Sequence, residues 1–426
     1  MAVPLVERIS KTVIKPSSPT PESLRRYYLS SFDQIEIPDY GNFTFYFVNP
    51  GLDISTISQK LQDSLSRILV HYYTFAGVLV GNDYIDCNDS GVEFIQVRIH
   101  CSIHEINKKT GINTTVVFPR VDSTPEPGES LVSVQLNHFD CGGIALGVCV
   151  HSKLADGSAN TAFMYDWAAS ARNPSHVPSP LLLSDSLFPR REGLQHLPFF
   201  ESPKVVTRKF VFPEAALQRL RSKAIQLGIQ NPSRVEVLTA LIYGNALKAA
   251  KSTIGRKPSV ICQAFNLRPL LGLPLNAMGV MYSFYFSINK QEDGIEVPQL
   301  VDQLRKAKIQ FQNLPRDKLS YESQMKELED SLKKLNISDF DFYFFSSYCR
   351  LPINKVDFGW GKTKWVTMLP TASQETYFIN TSGDISDGIE SLVTLEDQKM
   401  TAFENSEEMR PFAASDILKW TSNSKL

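Results

Sequence analysis

Charge of one sign is missing from this chain: 44 Lys+Arg stand against 45 Asp+Glu, a net charge of −1. That excludes a polybasic nucleic-acid binder. Long apolar runs are missing too. None reaches the roughly 18 residues needed to span a bilayer, so no membrane segment is expected. The opening stretch MAVPLVERISKTVIKPSSPTP lacks an apolar h-region, so no signal peptide is expected. Cysteine is sparse: six in 426 residues, at 87, 101, 141, 149, 262 and 349. None forms a CxxC pair, which argues against a zinc or dithiol redox site. Their spacing does not resemble a disulfide framework, so a reducing, cytosolic compartment is the simpler reading. Asn42-Phe43-Thr44 is then a chance sequon. His71, His100, His104, His176 and His196 are scattered and make no metal set. Internal repeats and low-complexity blocks are absent.

What remains is ordinary globular composition, 42% apolar and 21% charged. At about 100–200 residues per domain, the length predicts two or three domains. A chain this long buries a large core without disulfides or metal. Helical and strand-like segments alternate irregularly, which points to α/β or α+β layers. Ile57, Leu61, Leu65 and Leu69 recur at helical spacing over 55–70. Tyr72–Val80 is aromatic and β-prone. LVSVQLNHF (131–139) and IALGVCVH (144–151), joined through Cys141-Gly142-Gly143, predict a hairpin. A helix over 158–171 carries Ala159, Ala162, Phe163 and Trp167 on one side. From Arg172 to Lys204 the period breaks at Pro174, Pro178, Pro180, Pro189, Pro198 and Pro203. We read 173–204 as a crossover linker between a domain at 1–172 and one at 205–426. The second half opens on a strand at Val205–Val211 and a helix at Glu214–Leu227. Ser233 and Glu236 form a capping-box pattern for a helix over 234–251. Residues 318–335 read as a charged amphipathic helix with a solvated face.

Two stretches stand out chemically. Phe139-Asp140-Cys141-Gly142-Gly143 leads to His151-Ser152-Lys153-Leu154-Ala155-Asp156-Gly157, a His, a Ser and an Asp at a strand end before a helix. Such turns often carry function, although on these residues alone an ordinary strand end with a satisfied histidine is the favoured reading. Asp357-Phe358-Gly359-Trp360-Gly361-Lys362 carries glycines that suit a tight turn, and a structural loop is its plain reading. Cys149 reads as a small core residue.

Together these stretches resemble the HxxxD and DFGWG signatures of the plant BAHD acyl-CoA-dependent acyltransferases. Lys15–Pro21, Ser31-Phe32-Asp33-Gln34, Tyr73–Gly77, Ile85–Gly91, Asn266-Leu267-Arg268, Ala277-Met278-Gly279 and Ser346–Arg350 resemble the same family. The likeness runs over nearly the whole chain and is nearest to the branch with vinorine synthase and salutaridinol acetyltransferase. It implies an α/β fold of two chloramphenicol-acetyltransferase-like domains, each a mixed sheet flanked by helices, with a solvent channel between them. It implies acyl-CoA, acetyl-CoA above all, as co-substrate, a small-molecule acceptor, no bound cofactor and a monomer. The family's His is a general base on the acceptor hydroxyl. Its Asp is mainly structural and pairs with an Arg, here Asp156 and Arg268. Its DFGWG loop, here Asp357, Gly359, Trp360 and Gly361, is structural and near the CoA side. By the same likeness Asp33, Tyr377 and Thr381 fall near the channel and Ser233 near CoA. Strand packing explains Tyr377 and Thr381 as well, and capping suffices for Ser233.

One position departs. The family reads Ser-His-Lys-Ile-Ala-Asp where this chain reads His-Ser-Lys-Leu-Ala-Asp, so Ser152 stands where the base belongs and His151 one place earlier. Neighbours on an extended backbone face opposite ways, so His151 is expected to face away from the channel unless the turn is distorted. A serine has no basicity at pH 7. Loss of a positioned base costs on the order of 10²–10⁴ in rate. Two activities follow. One is acyl-CoA-dependent O-acyl transfer, with His151 reached through a bulge or the base supplied by the substrate. The other is a repurposed scaffold doing donor-free elimination or cyclisation on an alkaloid- or terpenoid-like molecule. A non-catalytic partner protein ranks third. A Ser152 nucleophile ranks last, since no oriented base and no GxSxG elbow accompany it.

Overall fold

The computed structural model describes residues 5–108, 114–120, 128–196, 204–253, 257–289, 297–332, 339–369, 374–381 and 388–421. In chain order the strands are β1 (Val6–Ile14), β2 (Arg26–Tyr28), β3 (Tyr40–Phe47), β4 (Val78–Val80), β5 (Tyr84–Asp86), β6 (Val92–Ile99), β7 (Val132–Phe139) and β8 (Ile144–His151). They continue as β9 (Val205–Phe212), β10 (Ser259–Asn266), β11 (Tyr282–Asn289), β12 (Asp341–Ser347), β13 (Trp365–Met368), β14 (Glu375–Asn380), β15 (Ile389–Glu396) and β16 (Ala414–Thr421). The helices are α1 (Ser31–Ile35), α2 (Ile54–Ile68), α3 (Ile103–Lys108), α4 (Gly157–Arg172), α5 (Ser184–Leu187), α6 (Glu214–Gln226), α7 (Arg234–Thr253), α8 (Val297–Gln312), α9 (Tyr321–Leu332) and α10 (Asp397–Glu404).

The first compact unit comprises residues 1–199 with 267–281 and 351–369. Its main sheet has the order β1-β6-β7-β8-β3-β13. Only β6 and β7 run parallel; the other pairs are antiparallel. β8, IALGVCVH, is buried at every residue, which is why it reads as an unbroken apolar run rather than an alternating one. Gly147 in it is obligatory, because a Cβ there would lie 2.3 Å from Val117 O. α2 and α4 pack against each other: Trp167 Nε1 donates to Leu61 O at 3.2 Å and to Ser64 Oγ at 3.0 Å. Burying that indole together with its N–H is what makes the 55–70 apolar face specific.

The second unit comprises residues 200–266, 282–350 and 370–426. Its sheet has the order β11-β10-β12-β14-β15-β9-β16, with β10–β12 and β12–β14 parallel. Helices pack on it, and α7 is buried along Val237, Leu241, Ala246 and Ala250. Each unit is thus a mixed sheet flanked by helices, as the resemblance implied.

The linear division at 173–204 needs correction. Two segments of the C-terminal half belong to the first unit, and one of them carries Asp357–Gly361. The reason is pairing: β13 lies antiparallel on β3, Trp365 opposite Tyr46, and covers an edge that would otherwise stay open. Within 173–196, Leu181 is held by main-chain bonds to Asn276 O (2.9 Å) and from Met278 N (2.8 Å), so this stretch is stapled down rather than free. Pro198 and Pro203 lie outside the described residues.

Two local expectations also change. Tyr72–Val80 is strand only at β4; Tyr73–Ala76 is a tight helical turn. Aromatic packing overrides β propensity there, Phe75 stacking on Phe163 at 4.6 Å and Tyr72 meeting it edge-on at 5.2 Å. The 318–335 helix starts only at Tyr321, because Ser320 Oγ accepts from Ser323 N–H at 3.1 Å and caps it. Its Met325 and Leu328 are buried against Val260 and Cys262, so the helix has a core face; 333–335 fall outside the described residues.

Candidate active site

The hairpin β7–β8 delivers the chemically distinctive segment, and the helix α4 begins at its end. Asp156 caps α4: Oδ1 accepts from Ser158 N–H (3.1 Å) and Ala159 N–H (3.0 Å). Its other oxygen, Oδ2, accepts from Arg268 Nη1 (2.7 Å) and Met281 N–H (3.0 Å). Arg268 is fully buried and donates further to Ala277 O (2.8 Å) and Gly279 O (3.1 Å). Sequence reasoning paired these two residues, and the structure joins them. Removing one partner of such a buried pair costs about 3–5 kcal/mol, since the other charge is stranded.

His151, five residues before the α4 cap, is 1% exposed. It sits opposite Tyr40 in the β3–β8 ladder, and their rings meet edge-on at 5.4 Å. Lys153 N–H donates to His151 Nδ1 at 3.2 Å, which leaves the ring proton on Nε2, buried with no partner among the described residues. Burial, then the Lys153 ammonium and the Arg120 guanidinium, push its pKa down to about 3. His151 is therefore a neutral, enclosed core ring at pH 7. The expectation that it could serve as the base through a bulge fails here: β8 stays regular through His151, paired with Tyr40.

Ser152 turns the other way, as the strand period requires. Its Oγ donates to Ile37 O at 2.5 Å or Asp39 O at 3.1 Å and accepts from Asp39 N–H at 3.2 Å. No histidine or carboxylate side chain is among these partners. Lys153, which sequence reasoning passed over, turns back with His151 into the interior. Its Nζ caps the end of α1 through Asp33 O (3.3 Å), Gln34 O (2.7 Å) and Glu36 O (2.5 Å). Burial lowers its pKa to about 8, against the opposing carboxylates of Glu36, Asp33 and Asp39. The signal for it was present in the alternation: it shares a parity with His151.

The remaining expected residues have structural geometry. Asp33 is buried; Oδ2 accepts from Ser30 N–H (2.8 Å) in a capping box and Oδ1 from Val280 N–H (2.8 Å). That fastens α1 to the 267–281 segment rather than presenting a carboxylate to a ligand. The pattern Ser30-x-x-Asp33 could have revealed it. In the second unit Ser233 Oγ accepts from Glu236 N–H at 3.2 Å, and Glu236 Oε2 accepts from Ser233 N–H at 2.7 Å, the capping box expected. Glu236 is locked in turn by Arg305 at 2.8 Å. Tyr377 hydroxyl bonds Glu375, and Thr381 Oγ1 accepts from Gly388 N–H at 2.9 Å, closing the β14–β15 connection. In the 357–361 loop, Asp357 Oδ1 accepts from Gly359 N–H (2.8 Å) and Gly361 N–H (3.3 Å), both glycines at φ above +100°. Phe358 and Trp360 stack at 5.4 Å, and Arg172 holds the Asp357 carbonyl. The loop is a folded staple of the first unit.

The intact Asp156–Arg268 pair, the glycine-turned 357–361 loop and two mixed sheets describe one kind of protein. Residues 5–410 match the Transferase family, the BAHD acyltransferases. This chain belongs to that family. It is 51% identical over 416 residues to akuammiline synthase 1 of Alstonia scholaris, covering 96% of this chain and 98% of that protein. It is 44% identical to minovincinine 19-hydroxy-O-acetyltransferase of Catharanthus roseus, with 96% and 98% covered. Among solved structures, vinorine synthase superposes with a TM-score of 0.84 at 27% identity, over 97% of this chain and 99% of that one. Members of this family are enzymes that take acyl-CoA as co-substrate, without a metal. Among the described residues no helix is long and apolar enough to cross a membrane.

Proposed function

We propose that this BAHD enzyme transfers an acetyl group from acetyl-CoA to a hydroxyl of a plant alkaloid, with a basic group of the acceptor taking the proton. The family and its O-acetylating relatives support the transfer. The observation that shapes the mechanism is the exchange at 151–152: His151 is sealed in the core and Ser152 is bonded to the main chain. The hydroxyl oxygen attacks the thioester carbonyl and the carbon–sulfur bond breaks. The proton passes from the hydroxyl to the acceptor's amine and from there to the departing CoA thiolate, so CoA leaves as the thiol and the amine is restored. In this reading Asp156 and Arg268 are positioning residues. The six cysteines, all thiols, support a cytosolic enzyme, and we take it as a monomer.

The test is CoA release from acetyl-CoA with hydroxylated alkaloids that do and do not carry an amine near the hydroxyl, with the ester identified by mass. Release only with the amine-bearing acceptors is the expected result. The same observation at Ser152 favours a second reading, donor-free elimination or cyclisation of an alkaloid- or terpenoid-like substrate. Product formed at equal rate without acetyl-CoA would establish it. No turnover of any kind, with a co-purifying enzyme, would point to a non-catalytic partner.

A further inference from the structure

We propose that Cys101 and Cys141 form a reversible thiol–disulfide couple that responds to hydroperoxides. β6 and β7 run parallel with Ile99 opposite Phe139, and both cysteines follow within two residues. There Asp140 N–H donates to Cys101 O at 3.2 Å, which holds the two chain ends side by side. Ile103 N–H lies 3.3 Å from Cys141 Sγ, so that sulfur is anchored two residues from Cys101, a span of at most about 7 Å. Both cysteines lie two residues past the last paired residues of β6 and β7, and a disulfide bridges Cα atoms about 4.4–6.8 Å apart.

The pair is also placed for chemistry. Cys141 is exposed and Cys101 half-buried, whereas Cys87, Cys149 and Cys262 are buried. Burial tends to raise the Cys141 thiol, but the N–H groups of Ile103 and Gly143 and the Ser102 hydroxyl outweigh it and favour the thiolate. Burial pushes the Cys87 and Cys149 thiols up to about 12, and raises Cys349 as well. The Cys141 thiolate attacks a peroxide oxygen; the O–O bond breaks, an alcohol or water leaves, and Cys141 becomes a sulfenic acid. The Cys101 sulfur then displaces that hydroxyl as water, forming the disulfide and losing its proton. Two thiols give two electrons to one hydroperoxide. The bridge would tie the end of β6 to the β7–β8 turn, the hairpin that carries His151 and Ser152.

The experiment treats the folded chain with hydrogen peroxide, blocks remaining thiols and maps the peptides. The expected product is a Cys101–Cys141 cross-linked peptide, formed before Cys349 oxidises and reversed by dithiothreitol. In Cys101→Ser the same treatment should leave a sulfenic acid on Cys141 that a 1,3-dione traps. Single oxidation of Cys141 in the unaltered chain without a cross-link would overturn the proposal. So would oxidation of Cys141 no faster than that of Cys349.

Discussion

The two ends of one short segment differ in what they keep. At Asp156 both carboxylate oxygens have partners, and Arg268 places its guanidinium on the carboxylate and two carbonyls. Four residues upstream, at Ser152, the hydroxyl partners are main-chain atoms. One end holds a buried ion pair with both carboxylate oxygens bonded, and the other holds its hydroxyl on the backbone. A two-residue exchange alters proton chemistry at little cost in stability when the incoming hydroxyl bonds the backbone and the histidine fits the core as a neutral ring. Stability and chemistry therefore separate along this segment, and substitutions at its ends should separate them further.

The largest expected effect is on rate. Ser152→His supplies a base from the chain, and acetyl-CoA-dependent turnover of acceptors that lack an amine should rise on the order of 10²–10⁴-fold. Steady-state CoA release reads it: amine-bearing acceptors should change little, since their own base takes the proton, and no rise with amine-free acceptors would mean that a base at 152 is not what limits the transfer. At the other end, Arg268→Met strands the Asp156 carboxylate beside α4. Stability should fall by about 3–5 kcal/mol in urea unfolding. A loss below about 1 kcal/mol would show that the pair is not the fold's anchor.

The legibility of this site in the sequence followed the same division. Asp156 with Arg268, the Ser233–Glu236 cap and the β7–β8 hairpin could be read because short spacing or a specific motif determines each. The strand parity of 151 and 152 was enough to expect that their side chains face opposite ways. What stayed hidden depends on distant partners. Asp33 looked like a ligand-facing acid because its second bond comes from Val280 N–H, nearly 250 residues away in sequence. The 351–369 segment looked like part of the second half because nothing local announces the pairing of β13 with β3. Lys153 drew no reading, because its partners are the carbonyls ending α1, more than a hundred residues away in sequence.

A smaller effect is a pH dependence at the enclosed ring. His151 has a folded pKa of about 3, against an unfolded value of about 6.5. Between these pH values the unfolded chain binds the extra proton, so stability is present above pH 6.5 and is lost as pH falls toward 3. The slope from this residue is at most about 1.4 kcal/mol per pH unit. His151→Asn, which keeps an acceptor for Lys153 N–H, should flatten the decline between pH 6 and pH 4 in unfolding measurements. Equal slopes in the two chains would place the ring in contact with solvent.

The smallest expected effect is that of Ser152→Ala. Its hydroxyl lies half-buried, so water reaches the groups it leaves, and the Ser152 N–H bond to Asp39 O at 2.9 Å remains. Stability should change by about 0.5–1.5 kcal/mol, the ordinary worth of one hydrogen bond. Turnover with acetyl-CoA should stay within a few-fold if the acceptor supplies the proton sink as proposed, since the Oγ partners among the described residues are main-chain atoms. A loss of turnover beyond 10²-fold with the fold intact would make Ser152 a covalent nucleophile. It would also move the chemistry back onto the chain.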